Sequence, residues 1–508
     1  MKKLKFLILL ALVPAISQAE LEITVQGGIT GITSNSVIDI YHDSISVWLG
    51  SGGGAAVSAD DGNSWTTYAT DPLPSDEVSA LYANDRGVWV ANSHSVEAQG
   101  ESFPFGDGIS FTRDGGVVWT VSRPEQANFY GKLSYDLALY DSIAYAACFY
   151  GGLIRTTDWG ATWTNLFPTQ LNSVNSDSTD GNVNSDSADY AGNVFRSLRN
   201  RFFAVKADTL SFPSALSVWS GNAAGITRFF FYADSLNGAY NTYPDSIANY
   251  FYSGSDTTIA DSLKLPGNHV VALGITERDT VKYVWAACRP VSSGEKYRVA
   301  YSSDDGTTWH TAGVISPGGD DDVEGWDFAF SGDTVFAATS FGLFMSTGDY
   351  STWDIQSGFV DTSGQTFYQE NAPFYSVDLV DGTVWAGGAD GVVKSIPGGW
   401  KVYRSQRDPN EHYAYPSPFS PEQSVRQGTT IHFMPTSDTR ATVKIYDFNL
   451  DLVKTVREAL FRRGGIESDD IVWDGTNDDG KTVANGVYFY RIELDSGDDL
   501  WGKVVVIK

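Results

Sequence analysis

Apolar residues along this chain fall in short runs, alternating or continuous over the length of a β-strand, and most runs stop at Asp or Gly. The runs follow a recurring order. An apolar run ends in an Asp turn, as at 37–41 before Asp43-Ser44. A run of the type Val47-Trp48-Leu49-Gly50 follows, then a Gly-rich turn (Gly52-Gly53-Gly54), then a third run (56–58) that enters a polar octet ending in Trp65. The second run returns as Val88-Trp89-Val90-Ala91, Val284-Trp285-Ala286 and Val384-Trp385-Ala386-Gly387. Trp119 and Trp163 are 44 residues apart, Trp309 and Trp353 are 44 apart, and Trp353 and Trp400 are 47 apart. Four short strands in each period of forty-odd residues predict the blade of an all-β propeller.

The octet is Ser58-Ala59-Asp60-Asp61-Gly62-Asn63-Ser64-Trp65. It returns with Asp114, Gly116 and Trp119, with Asp158, Gly160 and Trp163, and with Ser302, Asp304, Gly306 and Trp309. A worn fifth copy at 346–353 has Gly348 in place of Asp and ends in Trp353. The carboxylate and the hydroxyl suit the amides of a tight turn, Gly allows positive φ, and Trp anchors the next strand. These residues are therefore read as structural. The octet resembles the Asp-box of BNR-repeat β-propellers, a family that includes sialidases, xyloglucanases, sortilin-type receptors and photosystem assembly factors. That resemblance implies a shared fold and no particular activity.

Between Trp163 and His269 the octet is missing. A degenerate repeat is legible in 202–206, 216–221 and 228–232, with Asp234 and Gly238 near the staple and Tyr240 in the Trp slot. It brings the expectation to seven blades over residues 20–408. Two inserts flank it: 172–193, rich in Ser, Asn and Asp and read as a surface loop, and 243–268. Asp177, Asp180, Asp186 and Asp189 lack the alternate spacing of a calcium loop. Either 400–403 or 21–25 is expected to supply the outer strand that completes the last blade.

The grammar changes near Asp408. Tyr415-Pro416-Ser417-Pro418-Phe419 opens a stretch of alternating strands that runs to Lys508. Residues 413–508 are read as a small Ig-like β-sandwich. This stretch resembles the flagellar hook-cap (FlgD) type Ig-like domain and the C-terminal sorting domains of type IX export, with Ser417 where those sorting domains carry Asn. The resemblance implies a role in export or anchoring, with the export machinery as partner.

Lys2, Lys3 and Lys5 precede an apolar run from 6 to 16 and then Ser17-Gln18-Ala19, the pattern of a Sec signal peptide (1–19) cleaved after Ala19. No later run approaches the ~20 residues of a membrane helix, so the expected mature chain has no transmembrane segment and is secreted or displayed at the cell surface. Removing those lysines takes the formal net charge from −28 to about −31, which repels phosphate backbones and argues against nucleic acid as a partner. Cys148 and Cys288 occupy equivalent places two repeats apart, too far for the ~5.5 Å Cα separation of a disulfide. Both read as small buried apolar residues.

Candidate chemistry is sparse. The six histidines have no metal-ligand spacing, no G-x-S-x-G elbow is present, and the glycines at 50–54 recur in other repeats as blade turns. No metal or cofactor is expected. Sialidases need arginines converging from separate blades, whereas Arg196, Arg199 and Arg201 lie in one segment. Asp39, Asp136, Asp327 and Asp378 fall in first strands that line the channel, the candidates for a glycoside hydrolase pair; their unequal offsets from the next turn predict that they do not form one ring. Phe103, Phe105, Asp107, Trp159, Tyr250 and Tyr252 are the candidate contacts for a glycan or protein ligand, with packing between blades as the plain alternative. The favoured reading is a surface binding protein, and the rival is a glycoside hydrolase using channel carboxylates.

Overall fold

A computed structural model describes residues 32–98, 101–124, 133–149, 151–167, 198–210, 215–233, 240–250 except 242, 264–313 except 292 and 293, 323–360 except 357 and 358, 372–405, and 412–507 with short gaps at 416, 418, 422–427, 436, 463–470, 496 and 498. The expected signal peptide, the 172–193 insert and the 21–25 strand lie outside them. Contacts divide the chain into two compact units, Met1–Phe359 with Tyr368–Ser405, and Val360–Phe367 with Gln406–Lys508.

Among the described residues the first unit is all-β apart from the short 3-10 turn Leu198–Asn200. Among the described residues it contains seven sheets, each joining its strands in chain order; all are antiparallel except for a short parallel fifth strand, Pro72–Leu73, on the first. Their first strands are Val37–His42, Glu77–Asn84, Ser134–Tyr140, Phe202–Leu210, His269–Arg278, Gly325–Ser331 and Phe374–Val380. Each first strand packs against the next, and Phe374–Val380 packs against Val37–His42, so the row closes on itself. The architecture is a β-propeller. Second strands such as Val47–Ser51, Ile143–Cys148 and Ala215–Asn222 are buried along their whole length. They have a neighbouring sheet on each face, which explains runs of continuous rather than alternating apolar residues.

The octets form the turns between third and outer strands. Ser58 Oγ accepts from Gly62 N (2.7 Å) and donates to Asp60 Oδ1 (2.9 Å), which accepts from Ser64 N (2.8 Å). Thr112–Asp114–Gly116, Thr156–Asp158–Gly160 and Ser302–Asp304–Gly306 repeat this pattern. Hydrogen bonds from Ser64 hold the Asp60 carboxyl down at about 2, and similar bonds at Asp114, Asp158 and Asp304 outweigh burial and lower them too. A Cβ on Gly116, at φ 93°, would lie 2.1 Å from the Tyr68 hydroxyl of the preceding sheet, so only glycine fits this junction. Ser302→Ala, which leaves Gly306 N–H without its buried acceptor, is expected to destabilise by about 1 kcal/mol in urea titration.

The octet tryptophan packs into the preceding sheet. Trp119 meets Trp48 at 6.2 Å, Trp163 meets Trp89 at 5.9 Å, and Trp65 meets Trp385 at 6.2 Å, all edge to face. In the worn copy Ser346 Oγ donates to Thr352 O, and Tyr350, at φ 59°, takes over the packing role, 4.8 Å from Trp285. Trp353 stays half-buried. In the fourth sheet Asp234 and Gly238 lie outside the described residues, while Tyr240 meets Tyr140 of the third sheet at 6.1 Å, a Trp-like position.

One expectation changes here: Ser246–Tyr250 is the outer strand of the fourth sheet rather than part of an insert. Of the two alternatives for its outer strand, the last propeller sheet has Gly399–Tyr403 in that place. Its seam with the first sheet is held by Trp65, by Lys394 pairing with Asp61, by Ile40 N donating to Ser376 Oγ (2.9 Å), and by Ser405 N donating to Asn35 Oδ1 (2.9 Å).

The second unit has a three-stranded sheet (Tyr413–Tyr415, Thr429–His432, Val472–Trp473) and a four-stranded one (Leu452–Arg462, Thr439–Tyr446, Gly486–Leu494, Asp499–Val506). Both contribute to one core around Ile431, Val443, Trp473, Tyr490 and Val504. Phe419 of the opening motif is buried against Trp473 at 5.6 Å, and Ser417 Oγ accepts from Val505 N at 3.1 Å. Cys148 and Cys288 are buried and form no disulfide. Burial pushes the Cys288 thiol up to about 12. Native protein is expected to resist alkylation by iodoacetamide at both positions, and unfolded protein to react at both, as read by mass spectrometry.

Candidate functional site

Each of the seven first strands carries a β-bulge against its second strand, always at the same place. The inserted residues are Ile38, Ser79, Tyr135, Phe203, Val271, Trp326 and Tyr375. The residues that follow are Asp39, Ala80, Asp136, Ala204, Ala272, Asp327 and Ser376. A bulge re-aims a side chain that strict alternation would turn away. All seven inserted residues line one cavity of about 450 Å³ at the centre of the ring, together with Asp39, Asp136, Ala272 and Asp327.

The following residues tie sheet to sheet. Asp39 Oδ2 accepts from Leu81 N of the next first strand (2.7 Å), Asp136 Oδ2 from Val205 N (2.8 Å), and Asp327 Oδ2 from Val377 N (3.0 Å) and Ser376 Oγ (2.9 Å). Asp136 Oδ1 and Asp327 Oδ1 also accept from the amides of Leu137 and Phe328. The four carboxylates form no single ring, but three of them, Asp39, Asp136 and Asp327, share a register that the turn offsets did not reveal. The strands differ in length beyond the bulge, so the bulge and not the turn sets the position. Asp378 stands two residues further along its strand, outside the cavity lining, where it accepts from His42 Nδ1 at 2.6 Å and raises that imidazole.

Lys206 of the fourth first strand reaches Tyr41 of the first, Nζ to hydroxyl at 2.8 Å, with Asp136 Oδ2 at 3.9 Å. Two strands from different parts of the ring are thus joined by a polar bar that forms part of the cavity lining. Burial raises Asp39 well above the usual carboxylate range, and the charges of Asp136 and Asp327 add to it. Burial likewise raises Asp136 against the pull of Lys206, and brings Asp327 up to about 6. Burial disfavours the Lys206 cation, but Asp136, Tyr41 and Asp327 outweigh it and hold the ammonium charged.

Aromatic side chains line the cavity. Tyr135 is 40 % exposed and meets Phe203 at 5.5 Å. Trp326 meets Tyr375 at 5.1 Å, and its indole N–H donates to Glu324 (3.2 Å), which pairs with Arg289 at 2.6 Å. The long hairpin Gly87–Ala98 and Glu101–Thr112 brings Ser93 and Pro104 to the same cavity. Asp107 secures that hairpin, accepting from Ser75 Oγ (2.6 Å) and pairing with His94 (2.7 Å), on which Phe105 stacks.

The other sequence candidates fall elsewhere. Trp159 stacks on Trp89 at 6.1 Å under Arg113, and Tyr250 stacks on Trp219 at 5.4 Å with its hydroxyl on Asp305 O. Both pack between sheets. The Phe103 side chain and Tyr252 lie outside what is described. Tyr135, Phe203, Trp326 and Tyr375 escaped the sequence reading because, without the bulge, they read as ordinary strand residues. Among the described residues no three His, Cys, Asp or Glu side chains gather as a metal-binding group, and no helix is long and apolar enough to cross a membrane.

No protein-family model matches the chain, and no curated protein does. Among solved structures it is similar to the GH74 enzyme of Niastella koreensis, at 14% identity over 95% of this chain and 75% of that one, with a TM-score of 0.49. It is similar to YCF48 from Cyanidioschyzon merolae, at 16% identity over 73% and 98%, with a TM-score of 0.43. It is also similar to the extracellular domain of the one-component system BT4673 from B. thetaiotaomicron, at 12% identity over 87% and 48%, with a TM-score of 0.43. The chain spans about half the length of this last one.

Proposed function

We propose that the chain is a secreted or surface-displayed binding protein, a seven-bladed Asp-box propeller that takes a glycan or protein ligand at its central cavity. Its C-terminal Ig-like domain serves export or anchoring. The observation that carries this reading is the ring of bulge residues: four aromatics, two aliphatics and one serine held at one cavity by the backbone itself. An aromatic-walled pocket with a few fixed polar groups suits a sugar face or a peptide side chain. The carboxylates beside it already accept amide hydrogen bonds that join neighbouring sheets, which favours binding over acid–base work.

Glycan-array and peptide-array binding by the full chain without residues 1–19 tests the reading. Tyr135→Ala and Trp326→Ala are expected to weaken binding by about tenfold or more each while the unfolding midpoint stays close to the parent's. Binding that ignores both substitutions would overturn this site. Truncation after Tyr413 is expected to leave a folded propeller that is no longer displayed; normal display of that truncation would remove the export role.

The hydrolase reading keeps one specific support. Asp327, held near 6 beside two further carboxylates, has the character of a general acid. Turnover of chromogenic glycosides that disappears in Asp327→Asn would establish it over the binding reading.

A further inference from the structure

Resting on the binding reading, we propose that the cavity takes a cationic side chain, the ammonium of a lysine presented by a peptide ligand. The first support is the charge inside the cavity. Asp39, Asp136 and Asp327 line it against one lysine, Lys206. Arg289 is matched by Glu324 at 2.6 Å, and Asp136 is nearest to Lys206 at 3.9 Å. Three carboxyl groups thus share the single ammonium of Lys206.

The second support is the use of acceptors. Asp327 receives three donors, Phe328 N, Ser376 Oγ and Val377 N. Asp39 receives one, Leu81 N, on Oδ2. A carboxylate offers about four acceptor directions, and Asp39 Oδ1 has no hydrogen-bond donor among the described residues. An ammonium can donate to that oxygen and favours the ionised carboxyl that burial disfavours, which a neutral sugar does not, and an anion would oppose it.

The third support is the aromatic wall. Tyr135 with Phe203 and Trp326 with Tyr375 offer π faces in the same space, and such faces attract a desolvated ammonium. The Lys206–Tyr41 bar crosses between strands at the lining, so a slender aliphatic stem ending in a point charge fits better than a broad planar ligand. The formal net charge of −28 draws cations toward the chain over longer distances.

Calorimetry on the full chain without residues 1–19 tests this with three probes: the capped tripeptide acetyl-Ala-Lys-Ala-amide, its Nε-acetylated twin, and neutral cello- and xylo-oligosaccharides. The lysine peptide is expected to bind, and the acetylated twin to bind about tenfold or more weakly. Asp39→Asn keeps an acceptor for Leu81 N and is expected to weaken the lysine peptide by about tenfold; Trp326→Leu is expected to weaken it independently. Equal binding of the two peptides, or indifference to both substitutions, overturns the inference. Oligosaccharide binding that is lost in Trp326→Leu, with the lysine peptide ignored, overturns it while keeping the broader binding reading. Absence of binding by every probe, repeated across glycan and peptide arrays, removes both.

Discussion

Trp65→Ala is expected to cost about 3–5 kcal/mol of stability, measured by urea unfolding followed through tryptophan fluorescence. The indole is 1 % exposed and is held edge to face by Trp385 at 6.2 Å and Tyr403 at 5.8 Å. Those partners come from the far end of the first unit, so the lost contacts are the ones that join the last propeller sheet to the first. Truncation leaves a cavity at a seam where rigid sheets collapse poorly, which places the cost at the upper part of the range for aromatic deletions. Trp353→Ala is the matched control. That indole is half-buried, and Tyr350 already fills the position against Trp285, so a clearly smaller loss is expected. Equal losses at the two positions would show that the seam has no special weight.

Unfolding free energy is expected to fall by about 1 kcal/mol between pH 5 and pH 8 through Asp327. Its carboxyl is raised by burial to about 6. A raised carboxyl contributes stability below its unfolded value near 4 and loses it as pH rises through the folded value, so the loss lies between pH 4 and 7. The side chain keeps part of its surface on the cavity, which limits the effect. The octet carboxylates act in the opposite direction: Asp114, Asp158 and Asp304 are lowered, and their contribution disappears only in stronger acid. Maximum stability is therefore expected near pH 4–6. Asp327→Asn is expected to flatten the decline between pH 5 and 8 whatever it does to absolute stability. An unchanged slope would mean that Asp327 ionises as an exposed carboxyl does.

Much of the propeller was legible because each repeat writes the same physics in residues. The second-strand tryptophans and the octet tryptophans are large and regularly spaced, and they turned out to be each other's partners across sheets. The turn glycines and carboxylates marked the hairpins for the same reason. The cavity was much less legible. Asp39, Asp136 and Asp327 were visible as channel residues, yet their common register was hidden, because an inserted residue leaves no compositional trace. Tyr135, Phe203, Trp326 and Tyr375 share no residue type with Ile38, Ser79 and Val271, so a comparison of repeats by identity passes over them. Trp159 and Tyr250 went the other way. An aromatic at a turn or in an insert looks available in a sequence, whereas here each covers a neighbouring tryptophan, the packing that was their plain alternative.

The placement of the seven inserted residues has a consequence for how such a molecule changes its preferences. In each first strand the inserted residue is skipped by the register that pairs its neighbours with the second strand. Its identity is thereby uncoupled from the ladder, and seven writable positions surround one opening, coupled only where neighbours such as Tyr135 and Phe203 or Trp326 and Tyr375 touch. A library randomised at Ile38, Ser79, Val271 and their counterparts should consequently yield many well-folded members with divergent tastes, which makes the rosette a natural starting point for diversification.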